Sequence, residues 1–466
     1  MTGQSEIDRI FELQKVHCET IRNTSADQRI EKLRRLQNNI FTNQSLIEEA
    51  LRQDLKKAPQ ETGLSELYPV LSEIRHACKH LQEWMEPRPL KNPLVFLRAE
   101  ASIRYEPKGM ALILSPWNYP FQLALSPIVS AIAAGNCVML KPSEISSNTS
   151  RCIKQLLEQT FPEEEVAIFE GDHTVATSLL EKPFHHVFFT GSPAIGKIVM
   201  QAAAKHLASV TLELGGKSPV IIDEDYDLED AARKIVWGKM INAGQTCVAP
   251  DYLLLPEKRE KQFIEIAKKY LQQLYDHPKT SPDYCKIISS KHQLRLKKLL
   301  DAALEQGARL ETGGEIEEST QYFAPTILSN VSPDSQIMEE EIFGPILPVL
   351  PYQSPADALQ QIRSKPRPLA LYIFSNNSSF VKNVLDHTHS GGVCINDVAV
   401  HFANVELPFG GINNSGIGNS HGYYGFMAFS QERAVLKQPK TGLMTFFYPP
   451  YTEKMKKLIQ WTVKYF

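Results

Sequence analysis

Short apolar runs alternate with helix-spaced segments through most of this chain. From Gly109 to about residue 222 the runs are ALILS (111–115), NCVMLKP (136–142), VAIFEG (166–171), HHVFFTG (185–191) and SPVIID (218–223). Strands apolar on both faces, with helices between them, predict a parallel sheet covered on each side. The rhythm resumes at DYLLLP (251–256), FAPTIL (323–328), ILPVLPY (346–352), LALYIFS (369–375) and GGVCIND (391–397), which predicts a second α/β unit. Residues 5 to 86 read instead as helices. SADQ (25–28) and SLIE (45–48) have the capping-box pattern, and Ile30, Leu33 and Leu36 follow at helical spacing. After Pro87, Pro89 and Pro93, the alternation in VFLRAEASIRYE (95–106) predicts an exposed strand or hairpin arm.

Length and composition narrow the class. The chain has 466 residues, 42% hydrophobic and 22% charged, enough for two or more ordinary cores. A net charge of −3 supplies no basic field for a phosphate backbone, so no nucleic-acid partner is expected. The N-terminus lacks the charge and apolar run of a signal peptide, and no stretch approaches 18 consecutive apolar residues. The seven cysteines are scattered without CxxC pairing, which fits reduced thiols in a cytoplasmic protein better than disulfides or a zinc cluster. No metal is therefore expected.

Five short motifs carry candidate chemistry. FFTGSPAIGKIV (188–199) sits where a strand passes into a helix, where amides can hold a phosphate. Its Gly191, Gly196 and Lys197 match GxxxxGK, but Ile198 stands where a P-loop needs Ser or Thr for Mg²⁺. A structural glycine turn is the plain alternative. In LKPSE (140–144), Lys141 and Glu144 follow a strand and can reach ribose hydroxyls, or form an ordinary charged loop. Glu213 in LELGG (212–216) lies between leucines, where scarce water raises a carboxyl pKa toward that of a general base; an ion pair is the alternative. In INAGQTCVAP (241–250) the lone Cys247 lies among small residues whose amides suit a nucleophile's oxyanion, although most such cysteines are inert core. Asn118, in PWN after the first strand, offers a side-chain amide to the same oxyanion, or is a common turn residue.

Taken together and in this order, the motifs resemble the aldehyde dehydrogenase family, from SPWNYPFQL (115–123) through LKPSE, FTGSPAIGK, LELGGKSP (212–219), NAGQTCVAPDY (242–252) and EEIFGPILPV (340–349) to LPFGGINNSGIG (407–418). The short N-terminal region, APDY after the cysteine, GGVCINDVAVH and YPPYT resemble its class 3 branch, while INNSGIGNSHGYYG departs from that pattern where the substrate funnel is shaped.

The resemblance implies a Rossmann-like cofactor domain (1–86 and 104–212), an α/β catalytic domain (213–422), a small β bridging and oligomerisation element (87–103 with 423–450) and a tail (451–466). It implies Cys247 as nucleophile, Glu213 as general base and Asn118 as oxyanion donor. For the cofactor, NAD or NADP, it implies Lys141 and Glu144 at the adenosine ribose, Gly191, Ser192 and Gly196 beside the pyrophosphate, and Glu341 and Phe343 at the nicotinamide ribose and ring. Glu144 disfavours a 2′-phosphate, whereas Lys141 can pair with one. The expected substrate is an apolar aliphatic or aromatic aldehyde, and the expected assembly a homodimer. The tail, with Met455, Leu458, Ile459 and Trp461 on one face, is expected to dock on the protein, with weak membrane contact at most. A catalytically silent binding protein of this fold and a cofactor-free cysteine hydrolase are the alternative functions.

Overall fold

The computed structural model describes residues 3–93, 96–440 and 442–465. Helices Ala26–Thr42, Gln44–Leu55 and Tyr68–Met85 form the N-terminal layer, and Gln4–Ile21 buries its apolar face in a separate core. Ile30, Leu33, Leu36 and Ile40 turn one face of helix Ala26–Thr42 into the layer's core. The Ser25–Gln28 capping box forms as expected. The one expected at Ser45 does not: Asn43 ends one helix and caps the next, so Ser45 already lies inside the first turn.

The first sheet runs in the order Gly416–Ile417, Ser209–Leu214, His186–Gly191, Met110–Leu114, Cys137–Lys141, Val166–Ile168. All neighbours are parallel except the short outer strand Gly416–Ile417. Numbered along the chain from Met110, its five parallel strands lie 3-2-1-4-5, the doubly wound order of Rossmann-like folds. The order reverses between Met110–Leu114 and His186–Gly191. The carboxyl ends there lead into PWN and TGS, the position at which open α/β sheets bind ligands.

The second sheet runs Arg309–Thr312, Thr326–Ser329, Ile346–Tyr352, Tyr252–Pro256, Pro219–Ile222, Ala370–Phe374, Gly392–Ile395, with only Arg309–Thr312 antiparallel. SPVIID, grouped above with the first set of runs, belongs here: Pro219–Ile222 pairs with Tyr252–Pro256 and Ala370–Phe374. Each sheet has its own large apolar core.

A third, antiparallel sheet joins Arg88–Leu90, Glu100–Pro107 and Ser430–Lys437. Its middle strand runs past residue 103 to Pro107, and Leu94 and Val95 of the expected arm lie outside the described residues. Helix Gly422–Ala428, expected in the bridging element, packs into the first core, where Phe426 and Tyr423 meet Trp84 at ring centroids 5.6 and 5.9 Å. In the tail helix Glu453–Tyr465, Met455 and Ile459 of the expected apolar face are half-buried and Leu458 and Trp461 are exposed. Among the described residues, no helix is long and apolar enough to cross a membrane.

The N-terminal layer is tied to the site by one buried ion pair. Lys57 Nζ donates to Glu66 Oε1 at 2.5 Å with both side chains fully buried, and Glu66 Oε2 accepts from the amide of Gln122 at 2.9 Å. Gln122 opens the helix that follows PWN. Lys57→Met removes the cation that pairs with a buried carboxyl. Stability should drop by about 3–5 kcal/mol, read as a lower urea midpoint, and an unchanged midpoint would deny the pair this role.

Candidate active site

Cys247 is presented by a turn that few sequences adopt. Asn242 and Ala243 have left-handed φ of 51° each, and Gly244 follows at 72°. A Cβ on Gly244 would lie 2.3 Å from the carbonyl oxygen of Gly344, so glycine is required there by both conformation and space. The Asn242 amide donates to Glu61 Oε1 at 2.9 Å, and its side-chain Nδ2 donates to the carbonyls of Asn118 (2.9 Å) and Gln245 (3.0 Å). Gln245 is buried, not spacious surface: Nε2 donates to the carbonyls of Asn242 and Lys286, and Oε1 accepts from Ile288. Asn118 Nδ2 donates to the same Gln245 carbonyl at 3.1 Å. The first sheet's PWN turn and the cysteine loop are thereby fastened together.

Cys247 is partly buried and lines a pocket of about 880 Å³, counting its open mouth. Leu64, Tyr119, Trp237, Ile241, Phe402 and Phe409 give that pocket apolar walls. Burial pushes the thiol pKa up, and the carboxylates of Glu341 and Glu213 push it further; the amides of Cys247 and Val248 pull the other way. At rest Cys247 is therefore a neutral thiol that needs a base.

Glu213 lies on Ser209–Leu214 between Thr190 and Gly416 of the adjoining strands, with leucines before and after it in sequence. It is 5% exposed, and burial lifts its pKa to about 7 despite a hydrogen bond from the Ser420 hydroxyl. Among the described residues no ion pair to Glu213 is present, and its partner is the Ser420 hydroxyl. Glu213 lines a small buried void together with Glu73 and His421. Burial raises Glu73 to about 7 and lowers His421 to about 4. His421 lines the Cys247 pocket too, stacked on Phe409 at 5.0 Å.

Glu341 and Phe343 sit on the loop before Ile346–Tyr352. Lys217 Nζ fixes that loop by donating to the carbonyls of Ile337 (2.8 Å) and Glu340 (2.9 Å) and to Asp251 Oδ2, while Asp251 Oδ1 accepts from the Ile342 amide at 2.9 Å. Burial raises the Glu341 carboxyl to about 8. A Cβ on Gly215 would lie 1.9 Å from Glu341 Oε2, so LELGG leaves that carboxylate its place. Phe343 meets Trp117 edge-on at 5.3 Å, bringing the loop against PWN.

The remaining motif residues lie along the carboxyl ends of the first sheet. Lys141 Nζ donates to Glu144 Oε2 at 2.6 Å, with Lys141 buried and Glu144 half exposed. Ser192 caps helix Pro193–Ala204, and Gly196 packs so closely on Leu214 that a Cβ would come within 2.7 Å of it. Ser115 Oγ and Thr190 Oγ1, at the ends of strands on either side of the switch point, are buried without a protein partner. Unpaired hydroxyls there, a capped helix N-terminus and a buried lysine fit a dinucleotide.

A family model described as the aldehyde dehydrogenase family matches residues 1–435. The chain belongs to the aldehyde dehydrogenase family. Aldehyde dehydrogenase family 3 member A2 of Mus musculus is 44% identical over 428 residues, 91% of this chain and 87% of that protein. Family 3 member B3 of the same organism is 42% identical over 441 residues, 93% and 90% of the two chains. The substrate-bound structure of Staphylococcus aureus AldH superposes with a TM-score of 0.94 at 40% identity, covering 99% of this chain and 100% of that one. A Bacillus cereus aldehyde dehydrogenase solved as its NAD⁺ complex gives 0.84 at 25% identity, covering 94% and 89%. This aldehyde dehydrogenase uses NAD or NADP to oxidise aldehydes, so the silent-protein and hydrolase alternatives are not favoured.

Sequence reasoning missed Glu61, Glu66, Glu73, Lys217, Asp251 and His421 of this aldehyde dehydrogenase. Glu66 and Glu73 carried a signal, since both share the apolar face of Leu67, Val70 and Ile74 instead of the solvent face. The reading of the thiol can be tested directly: Glu341→Gln removes a negative neighbour, so the Cys247 pKa should fall. Inactivation by iodoacetamide should reach its plateau at lower pH than in the parent enzyme, and an unshifted or raised profile would contradict the reading.

Proposed function

We propose that the substrates are apolar aliphatic or aromatic aldehydes and that Cys247, Glu213 and Asn118 carry their oxidation. The observation that supports this most is the partly buried Cys247 lining an apolar pocket, with buried carboxyls near enough to raise its pKa. Glu213 takes the thiol proton, and sulfur adds to the aldehyde carbon. The carbonyl electron pair moves to oxygen, where the Asn118 side chain and the Cys247 amide donate to it. A nicotinamide held by Glu341 and Phe343 would supply the hydride acceptor, and loss of the hydride leaves a thioester on Cys247. Glu213 passes the thiol proton to solvent and, ionised again, draws a proton from water as that water adds to the thioester carbon. The C–S bond breaks, the acid departs and sulfur is released for another cycle.

Lys141 and Glu144 hold the adenosine ribose, Gly191, Ser192 and Gly196 lie beside the pyrophosphate, and Glu341 and Phe343 hold the nicotinamide ribose and ring. The exposed carboxylate of Glu144 favours NAD, while Lys141 leaves NADP usable.

The enzyme works as a homodimer. Strand Ser430–Lys437 is paired along one side only and exposes Val435 and Leu436, which supports pairing with a second copy. Seven unpaired cysteines suit the reducing cytoplasm. The tail makes weak membrane contact at most, since one short amphipathic helix is a marginal anchor.

Three measurements check this reading. Glu213→Gln should cut turnover by about a hundred- to ten-thousand-fold while an acyl group accumulates on the Cys247 peptide, seen by mass spectrometry; near-normal turnover would remove Glu213 from its role. The base acts ionised and its pKa is about 7, so thioester hydrolysis should rise with pH through about 7 and then level off. A flat profile across that range in single-turnover measurements would argue against it. Light scattering should give a dimer at micromolar concentration, and a stable monomer would refute the assembly.

A further inference from the structure

We propose that His76, His80 and Glu406 form a binding site for a zinc-type divalent transition-metal ion on the outer wall of the aldehyde pocket. His76 and His80 are four residues apart on helix Tyr68–Met85, so both rings leave the same face, with centroids 4.7 Å apart. Glu406 reaches them from the other side, its Oε1 3.6 Å from His76 Nδ1. One donor atom from each of the three lies within 4.8 Å of the other two. Trp84 packs against both rings, at 5.3 and 6.1 Å, and restricts their tumbling.

A tetrahedral ion with bonds of about 2.0–2.1 Å needs donors separated by about 3.3 Å. The His76–Glu406 edge is already close to that. The rest is a side-chain adjustment, within reach of Glu406, whose side chain is 70% exposed. His80 must leave Glu83, whose carboxylate is 3.7 Å away and 81% exposed, a weak competitor in water. Two imidazoles and one carboxylate select borderline ions such as Zn²⁺ over Mg²⁺ and Ca²⁺, which prefer all-oxygen sets; solvent water completes the coordination.

The position gives the ion a consequence. Glu406 lies between Phe402 and Phe409, both of which line the Cys247 pocket. His76 also abuts Gly422, where a Cβ would lie 3.2 Å from the ring, immediately after His421. A bound ion therefore staples the pocket wall to the N-terminal helix layer, independently of how the catalytic roles are assigned.

Cobalt is the probe, because its spectrum reports the ligands. The untagged full-length chain should take up one equivalent of Co²⁺ with visible d–d bands and without the near-ultraviolet charge transfer that a cysteine ligand produces, and Zn²⁺ should displace it. Losing even an outer-shell partner of a metal weakens binding about 10–100-fold, so His80→Gln and Glu406→Gln, each at a solvent-accessible side chain, should weaken uptake at least tenfold with metal-free unfolding temperatures unchanged. No uptake at stoichiometric cobalt, uptake that survives both substitutions, or uptake with a sulfur charge-transfer band alone would each overturn the site.

Discussion

The geometry around Cys247, the proposed nucleophile, depends on a backbone that is unfavourable by itself. Two non-glycine residues in the left-handed region, Asn242 and Ala243, cost on the order of 1–3 kcal/mol each. They persist because the turn is held from four separate parts of the chain: Glu61, Asn118, the 286–288 segment and the carbonyl wall at Gly344. The hydrogen bonds to Asn118 and from Ile288 are buried, so releasing either leaves a polar group without water or partner. The position of Cys247 is thus over-determined. A nucleophile placed by a flexible loop would not hold its sulfur against a fixed pair of oxyanion donors.

Two buried ion pairs extend the same constraint outward. Lys57–Glu66 joins the helical layer to the PWN turn, and Lys217–Asp251 joins the second sheet to the Glu341 loop. Desolvating such ions offsets most of their attraction, so they are poor sources of net stability. Their value is positional, because each admits few alternative alignments of the segments it joins. Both lie where chain segments distant in sequence must meet around the pocket.

Much of the fold was legible because parallel strands buried on both faces leave continuous apolar runs, and each of the ten runs contains a strand. Which sheet a run joins is not written in its periodicity, which is how SPVIID was first grouped with the wrong set. The burial of Glu213 was legible from Leu212 and Leu214, but its partner Ser420 arrives from the far end of the chain. Glu66 and Glu73 were legible only from the apolar face they share with Leu67, Val70 and Ile74, against the usual rule that charged residues on amphipathic helices face solvent, and Glu61 was hidden altogether. The local pattern at Ser45 gave a cap that the neighbouring helix end pre-empted.

The inward carboxyls also set a conflict between activity and stability. Glu73 and Glu213 titrate near 7 and Glu341 near 8, all raised chiefly by burial. A carboxyl whose folded pKa is raised binds its proton more tightly in the native state than in the unfolded chain. The stability it contributes is fully present below the ordinary carboxyl range and is lost as pH rises to the folded value. In the role proposed for it, Glu213 acts as a base only after it has lost that proton. The interval in which the enzyme gains its base is therefore the interval in which the fold loses the protonated carboxyl. Sharing the buried space behind Glu213 with Glu73 limits the conflict, because one of the two can remain neutral while the other ionises.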